Sequence, residues 1–104
     1  MATRVEVSGL RNYELVAVLK PDMDDERVGA ALERVKSFVS DRGGSVDGEE
    51  LWGRRKLAYP IQKQNEGIYF LTRFTLEPPH AKELERSLNL SEEVMRHLIV
   101  RLDT

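Results

Sequence analysis

Hydrophobic and polar residues alternate along four stretches of the chain, a pattern that predicts β-strands. The first strand is predicted over 13–19 and is apolar on both faces near its middle. The second is predicted over 45–59, with a bend at Gly53, and a polar turn follows over 62–67. The third, over 67–76, places Phe70 and Phe74 on its core face, and the fourth covers 94–102. Both alternating sets of the fourth strand contain apolar residues, so its core face stays open.

Two other stretches repeat apolar residues every three or four positions and predict helices. Asp24 is the predicted N-cap of a first helix over 25–42, and Gly43-Gly44 ends it because glycine adopts the left-handed cap conformation. The second helix is predicted to open at Pro78-Pro79 and to stop near Asn89.

The predicted order is strand, helix, strand, strand, helix, strand. This order is typical of an α+β protein with the ferredoxin-like split βαβ fold, a four-stranded antiparallel sheet with both helices on one face. Right-handed connections put strands one and three in the centre and strands two and four at the edges. The other face of the sheet then stays bare, and Val16, Val18, Tyr69 and Leu71 are predicted to line it.

The composition is that of one small domain. The chain has 104 residues, no cysteine, and 16 Lys plus Arg against 18 Asp plus Glu, a net charge of −2. Disulfides and thiolate metal sites are therefore excluded, and nucleic-acid binding through a general basic excess is disfavoured. Residues 1–10 show neither a secretory signal nor a sustained periodicity. We expect them to be a flexible extension of a single domain over 11–104 of a cytosolic protein.

The most informative window lies between Leu51 and Asn65, which holds four basic residues and no acid. Arginine offers a planar fork of donors that suits phosphate oxygens, and aromatic rings offer surfaces on which bases stack. An alternative interpretation is an edge strand whose charges prevent aggregation. Four cations would give a salt slope of only about −3 to −4, so RNA binding would need a partner. The candidate residues are Arg54, Arg55, Lys56 and Lys63 for phosphates and Trp52 and Tyr59 beside them, with Arg11, Arg96 and Arg101 assisting from neighbouring strands.

Enzymatic and metal chemistry find little support. Acylphosphatase-type enzymes share the predicted topology, but here the turn before the first helix carries four carboxylates over 22–26, which would repel a phosphate. His80 and His97 lack any metal-ligand spacing around them. We expect no enzymatic activity, no cofactor and no metal.

Several motifs together resemble a known family. They are Arg11-Asn12-Tyr13-Glu14, the Pro21 turn, residues 52–61 (Trp-Gly-Arg-Arg-Lys-Leu-Ala-Tyr-Pro-Ile) with Lys63, and Gly67-Ile68-Tyr69. From Arg11 to about Asp103 the chain resembles the family of the sixth protein of the bacterial small ribosomal subunit. This resemblance implies a non-catalytic ribosomal protein with the ferredoxin-like fold. It also implies that the protein pairs with the eighteenth small-subunit protein and binds the central domain of small-subunit ribosomal RNA.

A function of a different class stays open at this point. Ferredoxin-like domains also serve as ligand-sensing or homo-oligomerising modules, and a bare sheet face suits either use. A stable homodimer in the absence of RNA would favour this alternative.

Overall fold

The computed structural model describes residues 9–102 and contains six elements. The first eight residues, most of the predicted extension, and the last two lie outside the described part. The elements are β1 (Arg11–Leu19), α1 (Asp25–Asp41), β2 (Ser45–Ile61), β3 (Gln64–Leu76), α2 (Pro78–Leu90) and β4 (Val94–Arg101).

The four strands form one sheet in the order β2-β3-β1-β4. Each neighbouring pair is antiparallel, so β1 and β3 are central and β2 and β4 are the edges. The predicted α+β ferredoxin-like architecture is confirmed. Both helices bury their apolar stripes against the same side of the sheet, which we call the helix face.

The hydrophobic core lies between the helix face and the two helices. Alternate residues of β1 and β3 point into it, as the predicted periodicity requires. Leu15, Phe70 and Phe74 are completely or almost completely buried. The helices contribute Val28, Ala31, Val35 and Val39 from α1 and Ala81, Leu84 and Leu88 from α2.

Local sequence features set the ends of α1 as predicted. The Asp24 carboxylate accepts a hydrogen bond from the Arg27 backbone N–H at 2.9 Å and caps the first turn. At the other end Gly43 has a φ of +82°, the left-handed conformation that ends a helix. A Cβ on Gly44 would lie 2.1 Å from the Thr75 carbonyl oxygen, so only glycine allows β2 to start against β3 here.

Register with β1 settles the open question of the β4 faces. Ile99 pairs with Leu15 and therefore lies on the helix face, where it packs against the core. Leu98 pairs with Val16 and lies on the opposite side, the open face. The choice depends on a pairing partner far away in the chain, which the alternation within β4 does not reveal.

The hairpin between β2 and β3 is longer than the sequence predicts. The predicted turn over 62–67 is wrong, because only Gln62 and Lys63 form the turn and β3 already starts at Gln64. Both turn residues have positive φ values, 52° and 68°, the twist that joins two antiparallel strands most tightly. The polar residues 64–66 are therefore free to pair, and Glu66 faces Lys56 across the ladder.

Candidate functional site

The open face is apolar at its centre, which distinguishes it from an ordinary solvent-facing sheet. Val18 of β1 pairs with Tyr69 of β3, and Val16 pairs with Leu71. Trp52 of β2 stacks on Tyr69 with ring centroids 6.2 Å apart. The prediction that Val16, Val18, Tyr69 and Leu71 share one face is confirmed, but the prediction that this face is bare is wrong, because Val18 and Leu71 are each only 5% exposed.

The end of the β2–β3 hairpin, residues 54–66, forms an arm that bends over this face. Gly53 has a φ of +79° and the pairing register shifts between Leu51 and Gly53, so the strand bends at the predicted position. β2 and β4 are opposite edges of the sheet, yet the Arg96 guanidinium of β4 donates a hydrogen bond to the Tyr59 hydroxyl of β2. This contact requires the arm to cross the open face.

The arm and the sheet enclose a groove of about 480 Å³. The arm contributes three alternating apolar side chains, Leu57, Tyr59 and Ile61. The sheet contributes the floor, and Leu98, 60% exposed, lies at the rim. The volume falls within the range of sites that hold a small ligand or an anchoring side chain.

Arg96 is the charged group of the groove. Its hydrogen bond to the Tyr59 hydroxyl raises the pKa of the guanidinium above its ordinary value, and the guanidinium carbon lies 5.9 Å from the Tyr59 ring centroid. Within residues 9–102, no carboxylate forms an ion pair with Arg96. A full positive charge therefore faces the groove without a neutralising acid.

A second charged cluster lies on the open face. Glu14 of β1 pairs with Arg73 of β3 in a row about 13 Å along the strands from the row of Arg96, because four residues of β1 separate Glu14 from Val18, the partner of Arg96. Glu50 of β2 pairs with Leu71 and lies one row nearer the groove. Arg73 Nε lies 3.1 Å from a Glu14 carboxylate oxygen, and Arg73 Nη1 lies 3.6 Å from a Glu50 carboxylate oxygen. Glu50 also accepts a hydrogen bond from the Trp52 indole at 2.9 Å. Two carboxylates share one guanidinium, so this cluster carries one surplus negative charge.

The four cations of the basic window do not form one patch. Arg54 points to the helix face side and donates to the Pro21 carbonyl, and Arg55 donates to the Arg54 carbonyl at 3.3 Å. Lys56 lies on the outer side of the arm and Lys63 lies at its tip, and both are exposed. In the described part of the chain neither lysine is within 4.0 Å of a carboxylate oxygen. Of the four cations in the window, these two ammonium groups are the ones without a hydrogen-bond partner in the described residues.

The other predicted site residues fall into two separate places. Trp52, Tyr59 and Arg96 belong to the groove, with the apolar residues and away from the exposed lysines. Arg11 and Arg101 lie at the opposite end of the sheet, because β1 runs about 26 Å from Arg11 to Leu19 beside the arm. The structure therefore divides the nine candidate residues among an arm, a groove and a distant end.

Leu57, Ile61 and Leu98 also line the groove, although they are not among the site residues predicted from the sequence. The alternation of Leu57, Tyr59 and Ile61 was visible within the window, but a strand with one apolar face normally turns that face to a core. Only the bend of the arm turns it towards the open face instead.

Both histidines lie beside carboxylates on the helix side of the molecule. His80 Nδ1 is 2.6 Å from a Glu83 oxygen, a hydrogen bond that lowers the pKa of Glu83, and His97 Nε2 is 3.8 Å from a Glu85 oxygen. Between residues 9 and 102 we find no group of three or more potential ligands that could hold a metal ion. None of the helices in that range has the length and apolar character needed to span a membrane.

Comparison with known proteins identifies the family. The family model described as "Ribosomal protein S6" matches residues 12–101. The chain belongs to the ribosomal protein S6 family. It is 44% identical over 94 residues to the small ribosomal subunit protein bS6 of Caldanaerobacter subterraneus subsp. tengcongensis, covering 90% of this chain and 99% of that protein. The bS6 of Beutenbergia cavernae is 45% identical over 94 residues, covering 90% of this chain and 98% of the relative.

Solved structures agree with this assignment. The crystal structure of 30S ribosomal protein S6 from Thermotoga maritima matches with a TM-score of 0.84 and 33% identity, over 89% of this chain and 88% of that one. The C-terminal domain of the MgtC protein from Mycobacterium tuberculosis matches with a TM-score of 0.64 at 13% identity, a likeness of fold alone. As an S6-family member, the protein is a non-enzymatic constituent of the small ribosomal subunit and is located on the ribosome in the cytoplasm.

Proposed function

We propose that this S6-family protein binds the central domain of small-subunit ribosomal RNA jointly with the eighteenth small-subunit protein. The observation that carries the proposal is the two-sided arm. Its outer side and tip present exposed cations, and its inner side closes an apolar groove. One short hairpin thus offers an RNA-binding side and a protein-binding side.

Phosphate binding belongs to the outer side and tip. Neither Lys56 nor Lys63 forms an ion pair within the described residues, although Glu66 pairs with Lys56 across the ladder, so a phosphate need not displace an existing ion-pair partner. Arg55 and Arg54 would exchange their hydrogen bonds to backbone carbonyls for stronger charge-assisted ones. Arg11 and Arg101 reach only a separate RNA segment at the far end of the sheet. So few contacts give weak binding by this protein alone.

The groove suits the protein partner. Trp52, Tyr59 and Leu98 expose 37%, 57% and 60% of their surfaces around an apolar floor, and such patches on small proteins mark interaction sites. Aromatic and arginine side chains are also the types most enriched at interface hot spots. We therefore assign Trp52, Tyr59 and Arg96 to the partner protein, although the sequence alone suggested stacking with RNA. A small ligand or a second copy of the chain remains the alternative occupant of the groove.

The experiment removes the two lysines of the arm, Lys56 and Lys63, and measures how RNA binding depends on salt concentration. The complex of the two proteins is titrated onto a transcript of the central domain with wild-type protein and with the Lys56→Ala/Lys63→Ala double variant. We expect weaker binding and a salt slope that is less steep by about 2, since each lost phosphate contact removes about one counterion released.

A matched control removes the same number of positive charges from the helix side of the protein. The Lys82→Ala/Arg86→Ala variant removes two exposed cations of α2 and should leave the salt slope unchanged. An equal loss in both variants, or no loss in the arm variant, would contradict the assignment of the arm. Light scattering of the protein alone addresses the alternative, because a stable homodimer would mean that the open face serves a second copy.

A further inference from the structure

We propose that the open face binds an apolar segment that carries an acidic residue at the arm end and a basic residue at the opposite end. We call this arrangement of the two charges the charge order of the segment. This inference rests on the proposed function, because it takes the occupant to be a segment of the eighteenth small-subunit protein. It adds the chemistry and the orientation of that segment.

The acidic residue is required by Arg96. The guanidinium lines a mostly apolar groove, and its only described polar side-chain partner is the Tyr59 hydroxyl. A docked segment would exclude water from this guanidinium, and a buried charge without an ionic partner is costly. A carboxylate on the segment neutralises Arg96 while the Tyr59 hydrogen bond holds the guanidinium in place.

The basic residue is required by the charged cluster at the other end. Glu14 and Glu50 share the single guanidinium of Arg73, which leaves one negative charge unbalanced on the same face. Val16, Leu71 and Leu98 lie between the rows of Arg96 and Glu14 and supply the apolar middle, and Glu50 lies at the β2 edge of this middle row. The rows of Arg96 and Glu14 are about 13 Å apart, a distance spanned by about four residues of extended chain or about nine residues of helix.

The first test reverses the charge of Arg96 in the full chain and measures the affinity for the eighteenth protein of the same organism by calorimetry. Arg96→Glu should weaken binding at least about tenfold, because like charges would meet in a desolvated contact. The matched control Arg86→Glu makes the same charge change on α2 and should leave the affinity unchanged. Circular dichroism and unfolding curves verify that both variants are folded.

Charge-reversal variants of the partner distinguish a direct ion pair with Arg96 from an indirect effect in which loss of the Arg96–Tyr59 contact loosens the arm. Each Asp and Glu of the partner is replaced in turn by Lys, and one replacement should restore binding to the Arg96→Glu variant while weakening binding to the wild type. The absence of any restoring replacement would overturn the inference, since a merely structural role of Arg96 predicts none.

The second test neutralises the two carboxylates of the charged cluster. Glu14→Gln/Glu50→Gln should weaken binding about fivefold, with Asp41→Asn/Glu92→Gln as a control that removes two exposed carboxylates elsewhere. Unchanged affinity in either the Arg96 or the Glu14/Glu50 variant would overturn the charge order and leave the proposed partnership intact. Failure of the two unmodified proteins to bind each other would overturn the partnership itself.

Discussion

The two faces of the sheet are built from the same four strands but meet very different surroundings. On the helix face, Leu15 and Phe74 are completely buried under α1 and α2. On the open face, Leu98 is 60% exposed although it neighbours the core residue Ile99 in the chain. Two adjacent apolar residues of β4 therefore belong to a core and to an uncovered surface.

This difference shows that apolar alternation alone does not define a core. Antiparallel sheets with one solvated face usually carry polar residues on it. Here β1 places Val16 and Val18 on the open face, and the arm adds Leu57 and Tyr59 above them. Two helices of 17 and 13 residues cover one side of the sheet only. On the other side Val18 is buried beneath the arm, and the exposed apolar surface is supplied by Tyr59 of the arm and Leu98 of β4.

The largest expected effect comes from truncating the buried face. Phe74→Ala removes a completely buried ring that stacks on Tyr13 at 5.7 Å, and it should lower the free energy of unfolding by about 3–5 kcal/mol. Urea denaturation followed by circular dichroism measures the change. Leu98→Ala on the open face should stay within about 1 kcal/mol of wild type. Similar losses for both variants would show that the two faces do not differ as described.

The next effect concerns partner binding without loss of the fold. Leu98→Asp places a carboxylate at the rim of the groove and should weaken binding of the eighteenth protein about tenfold or more, because a charge is then desolvated in the apolar contact. Leu90→Asp is the matched control, since Leu90 is 79% exposed on α2. Calorimetry compares the two variants. A stronger effect of the α2 variant would place the interface on the helix side instead.

The smallest expected effect is on the stability of the fold and comes from the ion pairs of Glu93, away from the open face. Partial burial of Glu93 opposes its ionisation, but hydrogen bonds from Arg27 and Arg34, at 3.1 and 2.5 Å, outweigh burial and lower the pKa of Glu93 below its ordinary 4.5. A lowered pKa in the folded state means that the ion pairs stabilise the fold above pH 4.5. This stabilisation disappears as the pH falls through the folded value.

Replacement of Glu93 by glutamine tests this sign. At pH 7 Glu93→Gln should be less stable than wild type by up to about 1 kcal/mol, and the difference should shrink towards zero near pH 3. Unfolding free energies at both pH values provide the measurement. Partner affinity should not change, because Glu93 lies away from the open face. A difference that grows on acidification would contradict the assignment.

Most of the fold was predictable because short-range rules govern it. The Asp24 cap, the Gly43 stop and the alternation of Phe70 with Phe74 are each set within a few residues. The predicted turn over 62–67 was wrong because a run of polar residues does not by itself define the length of a turn. Composition marks polar residues as turn-like, whereas the positive φ values of Gln62 and Lys63 complete the turn in two residues and leave the rest to pair.

The candidate site was less predictable because it depends on long-range geometry. The basic window is visible in the sequence as one segment, but nothing in its composition separates Lys56, which is exposed, from Arg54, which donates to the Pro21 carbonyl. Arg11 and Arg101 are basic and strand-borne like Arg96, yet they lie about 23 Å and about 17 Å along the strands from the row of Arg96, towards the other end of the sheet. Their position follows from strand direction and register.

The sequence by itself determined the order of the elements, the core face of the central strands, the cation-rich hairpin and the family. These features depend on periodicity, caps and local charge, all of which are written in neighbouring residues. Only the tertiary structure decided that the arm bends at Gly53 and brings Tyr59 to Arg96, 37 residues further along the chain. That contact turns an apolar strand face into the wall of a groove, because its position depends on the curvature of two strands at opposite edges of the sheet.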